Sequence, residues 1–401
     1  MLNKALCQTS EYHSSPMCCL QQSPSIAYVF ELFKRKPSPE DSKPIFSRSH
    51  KFTKLHDDVY FYTSFVDLRD GNIGFPMVRT ITVLSLQNQE VTFYCRFGSW
   101  DHVEAVLYEL SENHLQQFGT YLISCPIPDV TDPPERFVIG WNDGEVEMKV
   151  TYLIPDERIP VRTTSEFSIC VPLLFGKRYK AEDIVEFMEL NRLLGAEKIF
   201  LYVDRSTLEP GIVKALQFYE SRRLLQTIQF SLPVSHDEIW YHGQLITVTD
   251  CLYRNVGFSK YVAFHDIDEV MIPQNQSHKT VPEALDSIAN STIGSFRVPT
   301  VIFDDRDVSA PVKVNAKRRS SMVDTTFTKC VLRPEMVFEQ GIHHTSRVIQ
   351  DHYQAISMPK DVMQVYHYKP DYSDEDNDVV DKKYGNVLRA NYQKIMELLG
   401  V

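Results

Sequence analysis

The sequence predicts an α/β protein in two parts, a β-rich sandwich-type domain followed by an open parallel sheet flanked by helices. Three observations predict it. Residues 59–154 alternate short apolar runs with turn residues and show almost no helical periodicity. Beyond residue 167 the rhythm changes to strand, helix, strand, the order that builds a parallel sheet. The 401 residues are 43% hydrophobic and 24% charged, which suits two globular domains, or one large one with an appendage, rather than a disordered chain.

Residues 1–50, rich in Ser, Pro, Gln and Lys, read as a leader or tether. The β-rich domain is expected over 51–160, with strands at 59–63, 78–86, 91–94 and 146–153 and one helical stretch at 103–115. Pro155-Asp156-Glu157-Arg158-Ile159-Pro160 reads as a hinge at which limited proteolysis separates the halves. The second domain, 161–401, opens on a buried strand at 168–174. Residues 180–194 carry apolar side chains at helical spacing, acids in the first turn and Gly195 behind, which marks a helix with its stop. A strand at 198–203 ends at Asp204; a helix at 210–221, a strand at 225–232, a helix at 239–254 and a strand at 260–264 follow. Thr280-Val281-Pro282-Glu283 is a capping box that opens a further helix. The basic run Lys317-Arg318-Arg319 reads as a solvated loop, and Asp374-Glu375-Asp376 as a chance acidic triplet.

Charge and cysteine usage narrow the function. The net charge of −11 rules against broad nucleic-acid or anionic-membrane binding, which needs a basic surface. No apolar run approaches the ~18 residues needed to cross a bilayer, and no signal peptide is legible. Cys7, Cys18 and Cys19 fall in the leader. Cys95, Cys125, Cys170, Cys251 and Cys330 sit in apolar surroundings and read as buried thiols. The exception left open is a staple between Cys95 and Cys125. Two sequons, at Asn275 and Asn290, point weakly to the secretory route.

In an open α/β sheet, ligands sit outside the carboxyl ends of the strands. That directs attention to Asp204 and to His265-Asp266-Ile267-Asp268-Glu269, which directly follows an apolar strand and precedes another. Two carboxylates at such an edge offer hard oxygen ligands to a divalent cation able to bridge to a diphosphate. A solvated acidic turn is the plain alternative. Two metal-dependent classes place Asp-x-Asp after an apolar strand. A phosphohydrolase using Asp266 as nucleophile needs the motif on its opening strand and a lysine before a late acidic pair. Here β/α units precede the motif, and Asp304-Asp305 comes before Lys329. A nucleotide-sugar transferase places the motif after its nucleotide-binding half, as here.

Residues from about 167 to 368 resemble glycosyltransferase family 92. The matching segments are Cys170-Val171-Pro172-Leu173-Leu174-Phe175-Gly176, residues 240–254 with Gln244 and Asp250-Cys251, and the 265–269 motif. Lys329-Cys330-Val331-Leu332-Arg333-Pro334, Gly341-Ile342-His343-His344 and His367-Tyr368 complete the set. Asp67-Leu68-Arg69 and Cys125-Pro126 extend it weakly into the β-rich part. The resemblance implies an A-type, Rossmann-like glycosyltransferase domain that moves a hexose, typically galactose, from a UDP-sugar to a glycan acceptor with inversion. It also implies a Golgi enzyme with an N-terminal membrane anchor; none is visible in 1–50. A non-catalytic glycan-binding protein with a relic transferase domain is the alternative, and a homodimer is a further expectation.

Residue roles follow from position and resemblance together. Asp268 is the first expected metal ligand, with Asp266 and, by resemblance, His367 beside it, and Glu269 touching the acceptor or supporting the turn. Carboxylates with one imidazole suit Mn²⁺ better than Mg²⁺. Removing Asp268 is expected to abolish transfer while relieving repulsion in the metal-free cluster. Pro172, Asp204 and Arg254 are nucleotide-binding candidates, although Asp204 equally suits a helix cap and Arg254 a surface cation. Trp240, His343 and His344 are assigned to the acceptor side. The general base that inversion requires is left open among Asp304, Asp305, Glu335 and Glu339.

Overall fold

A computed structural model describes residues 51–69, 76–85, 91–127, 135–142, 144–151, 164–174, 178–371 and 375–400. The expected leader and the expected hinge at 155–160 lie outside these residues.

The β-rich half folds as two sheets around one core. Thr53–His56, Val59–Asp67, Met77–Ser85, Phe118–Pro126 and Val106–Glu109 form one; Val103–Glu104, Tyr94–Arg96, Arg136–Trp141 and Gly144–Thr151 form the other, joined through a short parallel pairing of Ser64–Phe65 with Val150–Thr151. Side chains alternate across a strand, and here both faces of the first sheet are apolar. Val78 and Leu84, with Tyr121 and Ile123, face the sandwich core, whereas Ile81, Val83, Phe118 and Leu122 face the other half of the chain. A bulge between Phe61 and Ser64 shifts this parity, so Phe61 turns into the sandwich and Phe65 away from it. The expected helix at 103–115 is instead the two short strands Val103–Glu104 and Val106–Glu109. The spacing of Val103, Val106, Leu107 and Leu110 mimics a helix, but the pairing of 106–109 with the long Phe118–Pro126 strand satisfies the backbone instead.

The second half is α/β, and its sheet is mixed rather than parallel. Four parallel strands lie in the spatial order Leu225–Gln229, Lys198–Val203, Ser165–Leu174, Ser259–Phe264. In chain order that is third, second, first, fourth, so the winding reverses between Ser165–Leu174 and Ser259–Phe264. Such a reversal opens a crevice at the carboxyl ends of the two strands. After Phe264 no crossover helix follows. Asp324–Leu332 and Ile293–Phe303 continue the sheet antiparallel, Met363–Tyr368 runs beside the latter, and Glu269–Pro273 closes onto Met363–Tyr368.

Helices Ala181–Leu193, Pro210–Ser221 and Asn386–Leu399 pack on one face of this sheet. The other face receives Gln244–Asn255 together with Val337, Phe338 and Ile342, and is completed by the β-rich half. Tyr62 meets Phe230 edge-on at 5.5 Å, and Phe65 stacks on Tyr253 at 5.8 Å. Polar ties cross the same seam. Thr63 donates to Asp250 at 2.6 Å, and the Arg69 guanidinium, held by buried Asp67, reaches the carbonyls of Pro334 and Val337 at 2.7 and 2.6 Å. The face that an isolated sandwich would leave solvated is thus buried against the second half.

Two disulfides are present among the described residues. Cys95–Cys125 bridges the two sheets of the sandwich, the staple left open by the sequence. Cys170–Cys251 corrects the expectation of buried thiols at both positions. The Gln244–Asn255 helix lies across the Ser165–Leu174 strand and brings their Cα atoms to 6.2 Å, within bridging range. Cys330 is a buried free thiol. Closing a loop of 81 residues restricts the unfolded chain strongly. Replacing Cys170 and Cys251 together by serine is expected to cost about 2–4 kcal/mol. Denaturant unfolding monitored by fluorescence measures it; an unchanged midpoint would assign the bridge no stabilising role.

The basic run is solvent-facing as expected at Arg318, but it forms a short paired strand rather than a loop. Lys317 pairs with Asp381 at 2.6 Å, Arg319 with Glu375 at 2.6 Å, and the Arg318–Arg319 strand ladders against Glu375–Asp376. Two residues of each apparently idle charge run, Arg318 and Arg319 with Asp376 and Glu375, are therefore each other's partners.

Candidate functional site

The strand Ser259–Phe264 ends at the winding reversal, so the chain delivers His265, Asp266 and Asp268 into the crevice. Glu269 begins the next strand and lies directly opposite His367 in the antiparallel ladder, while the Tyr368 amide donates to the Asp268 carbonyl at 2.9 Å. Sheet register thus brings together Asp266, Asp268, Glu269 and His367, four residues the sequence points to.

Asp268 is 12% exposed and has cationic and polar neighbours on every side. The Arg178 guanidinium donates to Oδ2, the Tyr179 hydroxyl donates to Oδ1 at 3.2 Å, and His367 Nε2 stands 3.5 Å from Oδ2. Burial alone would raise its pKa, but His367 and Arg178 hold the carboxyl down at about 2. Glu269 is buried, which pushes its carboxyl up against the opposing charge of Lys329. It accepts the Asp266 amide at 2.9 Å, and His367 Nδ1 lies 3.5 Å away. With both oxygens occupied and little exposure, Glu269 supports the turn; contact with an acceptor is the role it loses.

Lys329 is absent from the expected site and central to the observed one. Its Nζ lies 2.9 Å from Asp266 Oδ2 and 3.1 Å from Glu269 Oε2 in a nearly closed position. Burial would lower its pKa, yet the two carboxylates raise it and hold the ammonium charged. A lone lysine ahead of the apolar Cys330-Val331-Leu332 is the signal that could have revealed it, since a buried ammonium needs a carboxylate partner. Arg178 and Tyr179 carry no comparable signal. Lys329 and Arg178 are set against three carboxylates and largely neutralise the cluster, so removing Asp268 strips favourable pairs as well as like-charge repulsion.

The donor set fits a divalent cation in part. Asp268 Oδ2 and His367 Nε2 face one another, a carboxylate with an imidazole as Mn²⁺ favours. Among the described residues no three His, Cys, Asp or Glu side chains form a ready ligand group, because the Asp266 carboxylate is turned to Lys329. The expected trio is a pair plus one carboxylate held by a lysine.

The other expected residues divide. Pro172 lies buried where the Ser165–Leu174 strand breaks register with its neighbour, next to the crevice. Asp204 caps a 3₁₀ turn, accepting from the Ser206 amide at 3.0 Å and from its hydroxyl. Arg254 is not at the site: it is fully buried against Asp250 at 2.5 Å on the opposite side of the sheet, facing the β-rich half. His344 turns to Glu112 of the β-rich half at 3.2 Å. His343 turns the other way. Thr328, the neighbour of Lys329, holds it twice, its carbonyl against Nδ1 at 3.1 Å and its hydroxyl on the His343 carbonyl at 2.6 Å. Trp240 flanks His343 through Tyr241.

The four base candidates divide as well. Glu339 is buried on Tyr108 and Ser111, Glu335 accepts the Gly257 amide, and Asp304 is bound by Arg306. Asp305 has its pKa raised by partial burial and by the charges of Asp304 and Asp268.

Comparison with known proteins bears on the same residues. A model of glycosyltransferase family 92 matches residues 165–397. The protein described as beta-1,4-galactosyltransferase galt-1 of Caenorhabditis elegans is 38% identical over 382 residues, 93% of this chain and 88% of its own. Galactan beta-1,4-galactosyltransferase GALS2 of Arabidopsis thaliana is 27% identical over 256 residues, 56% of this chain and 48% of its own. Among solved structures, TarS 1–349 of S. aureus aligns over 58% of this chain and 65% of its own at 12% identity, with a TM-score of 0.27.

Proposed function

The chain belongs to glycosyltransferase family 92 and is a hexosyltransferase, and from that premise we propose that it transfers galactose from UDP-galactose to a glycan acceptor with inversion. The observation that carries the reading is the pairing of Asp268 with His367 at the carboxyl end of the sheet where its winding reverses. We assign Mn²⁺, or Mg²⁺, to Asp268 and His367. Asp268 and His367 would hold the ion, which would supply positive charge to the leaving diphosphate. Lys329 holds Asp266 and Glu269 in place, and Arg178, more than half exposed, is free to swing from Asp268 to a phosphate. Pro172 lines the crevice on the nucleotide side. Asp305 takes the proton of the acceptor hydroxyl, its carboxyl raised into a more basic range by burial and neighbouring carboxylates.

The two disulfides support a secretory, and we propose Golgi, location, since such bonds persist in oxidising compartments. No helix among the described residues is long and apolar enough to cross a membrane.

Screening UDP-hexoses for Mn²⁺-dependent donor hydrolysis tests the reading. Hydrolysis of UDP-galactose is expected; release of phosphate from simple monoesters would favour the phosphohydrolase, and neither activity the relic. A finer test concerns His367. If it shares the diphosphate with the metal, replacing it by alanine weakens UDP binding by about 1–3 kcal/mol with Mn²⁺ and barely in chelator, because coupled contacts do not add. Calorimetric titration of both proteins in both buffers gives the four affinities. Equal losses would remove His367 from the metal.

A further inference from the structure

Residues 241–243 adopt three successive left-handed conformations, with φ of +46° at Tyr241, +55° at His242 and +75° at Gly243. Glycine meets this without difficulty, and a Cβ there would strike Leu232. A tyrosine does not, and bulky side chains hold such a conformation only where surrounding structure imposes it, commonly at binding sites. The imposing structure is the β-rich half. Its own segment at His114 and Leu115 is also left-handed, the His114 ring lies 4.3 Å from that of Trp240, and the Phe118 amide donates to the Glu238 carbonyl at 3.0 Å.

The result of this strain is an exposed ring. Tyr241 is 42% exposed and Phe327 60%, and the His343 ring stands between them, 6.3 Å from one and 5.5 Å from the other, edge-on to both. Phe327 lies two residues before Lys329 on the Asp324–Leu332 strand, and Thr328 between them donates to the His343 carbonyl at 2.6 Å. The row of rings therefore starts beside the Asp266–Lys329 pair and runs outward through His343, Tyr241 and Trp240 to His114. Thr328 fixes the His343 ring in it. The Thr328 carbonyl can only accept, so Nδ1 carries the proton, and Nε2 points into the protein as a buried acceptor.

We propose that this row is the acceptor subsite and that it takes a neutral oligosaccharide chain of at least two pyranose units. The negative faces of aromatic rings attract the polarised C–H bonds on the flat side of a pyranose. Exposed apolar rings contiguous with a polar crevice mark a ligand surface rather than ordinary surface scatter. The row contains no formal charge along its ring faces, which fits an uncharged chain. This assignment rests on the transferase reading above.

The test uses the full chain and two independent titrations. One is UDP with Mn²⁺, which reports the donor side. The other is a fluorescently labelled series of galactose oligomers of one to six units. Wild type is expected to bind the series more tightly as it lengthens from one to three units. Tyr241→Ala and Phe327→Ala should each weaken the longer oligomers at least tenfold and leave UDP affinity within twofold, and Phe327→Tyr should restore most of the loss. Variants that bind the oligomers like wild type, or affinity that ignores length, would overturn the proposal. Wild type that binds UDP but no oligomer overturns the subsite alone; wild type that binds oligomers but no UDP overturns the donor reading alone.

Discussion

Replacing Arg254 by methionine is expected to destabilise the protein by about 3–5 kcal/mol, the cost of leaving a buried charge without its partner. Arg254 and Asp250 have no exposed side-chain surface. Asp250 also accepts from Thr63 of the β-rich half at 2.6 Å and from the Tyr202 hydroxyl at 2.5 Å. Neither neutral donor can offset the lost cation. Adding Asp250→Asn to Arg254→Met removes the stranded charge and should recover part of the loss. Urea unfolding measures all three proteins, and UDP titration of the folded fraction separates two explanations. A structural arginine predicts unchanged UDP affinity per folded molecule, whereas a nucleotide contact predicts lost affinity with the midpoint intact. The second pattern would restore the assignment that burial argues against.

Asp268→Ala should lower transfer at least a hundredfold, the scale on which a preorganised electrostatic element contributes. It should also cost stability. The folded carboxyl, held at about 2, lies below its ordinary value of 3.8. Depression of a carboxyl pKa stabilises the fold above the unfolded value and is lost as pH falls through the folded one. At about 1.4 kcal/mol per unit, the variant should therefore be about 2 kcal/mol less stable than wild type near neutrality. That gap should narrow below about pH 4 and close near pH 2. Unfolding midpoints measured down this range in chelator decide the matter. A variant more stable than wild type at pH 7 would mean that repulsion among Asp266, Asp268 and Glu269 outweighs Lys329, Arg178 and His367 after all. Wild-type turnover would remove Asp268 from the mechanism.

The strand ends at Val203 and Phe264 are legible because a parallel strand buried on both faces is an unbroken apolar run that stops abruptly at a polar residue. The same holds for the Pro210–Ser221 helix, whose N-terminal proline and apolar stripe need no distant partner. What local pattern cannot supply is the identity of cross-chain partners. Lys329 becomes part of the site only when the antiparallel register sets Cys330 beside Phe264. Arg254 reads as a surface cation because nothing nearby in sequence announces that Thr63 and Tyr62 will cover it. The Cys170–Cys251 bridge is hidden for the same reason, since its two ends meet only through helix-on-sheet packing. Residues 103–110 fail differently. Four apolar positions happen to fall at helical spacing, and the ladder with a neighbouring strand overrides them.

The family's shared segment begins at residue 165, yet the sheet it contains is finished on one side by residues that come before it. A border drawn by sequence likeness therefore runs through the middle of a folding unit. Tyr202, Ile228 and Phe230 would meet water in a protein cut there, as would the underside of the Gln244–Asn255 helix. Exchanging the front half for a foreign module would leave a greasy, half-clothed catalyst unless the new module matched this apolar face.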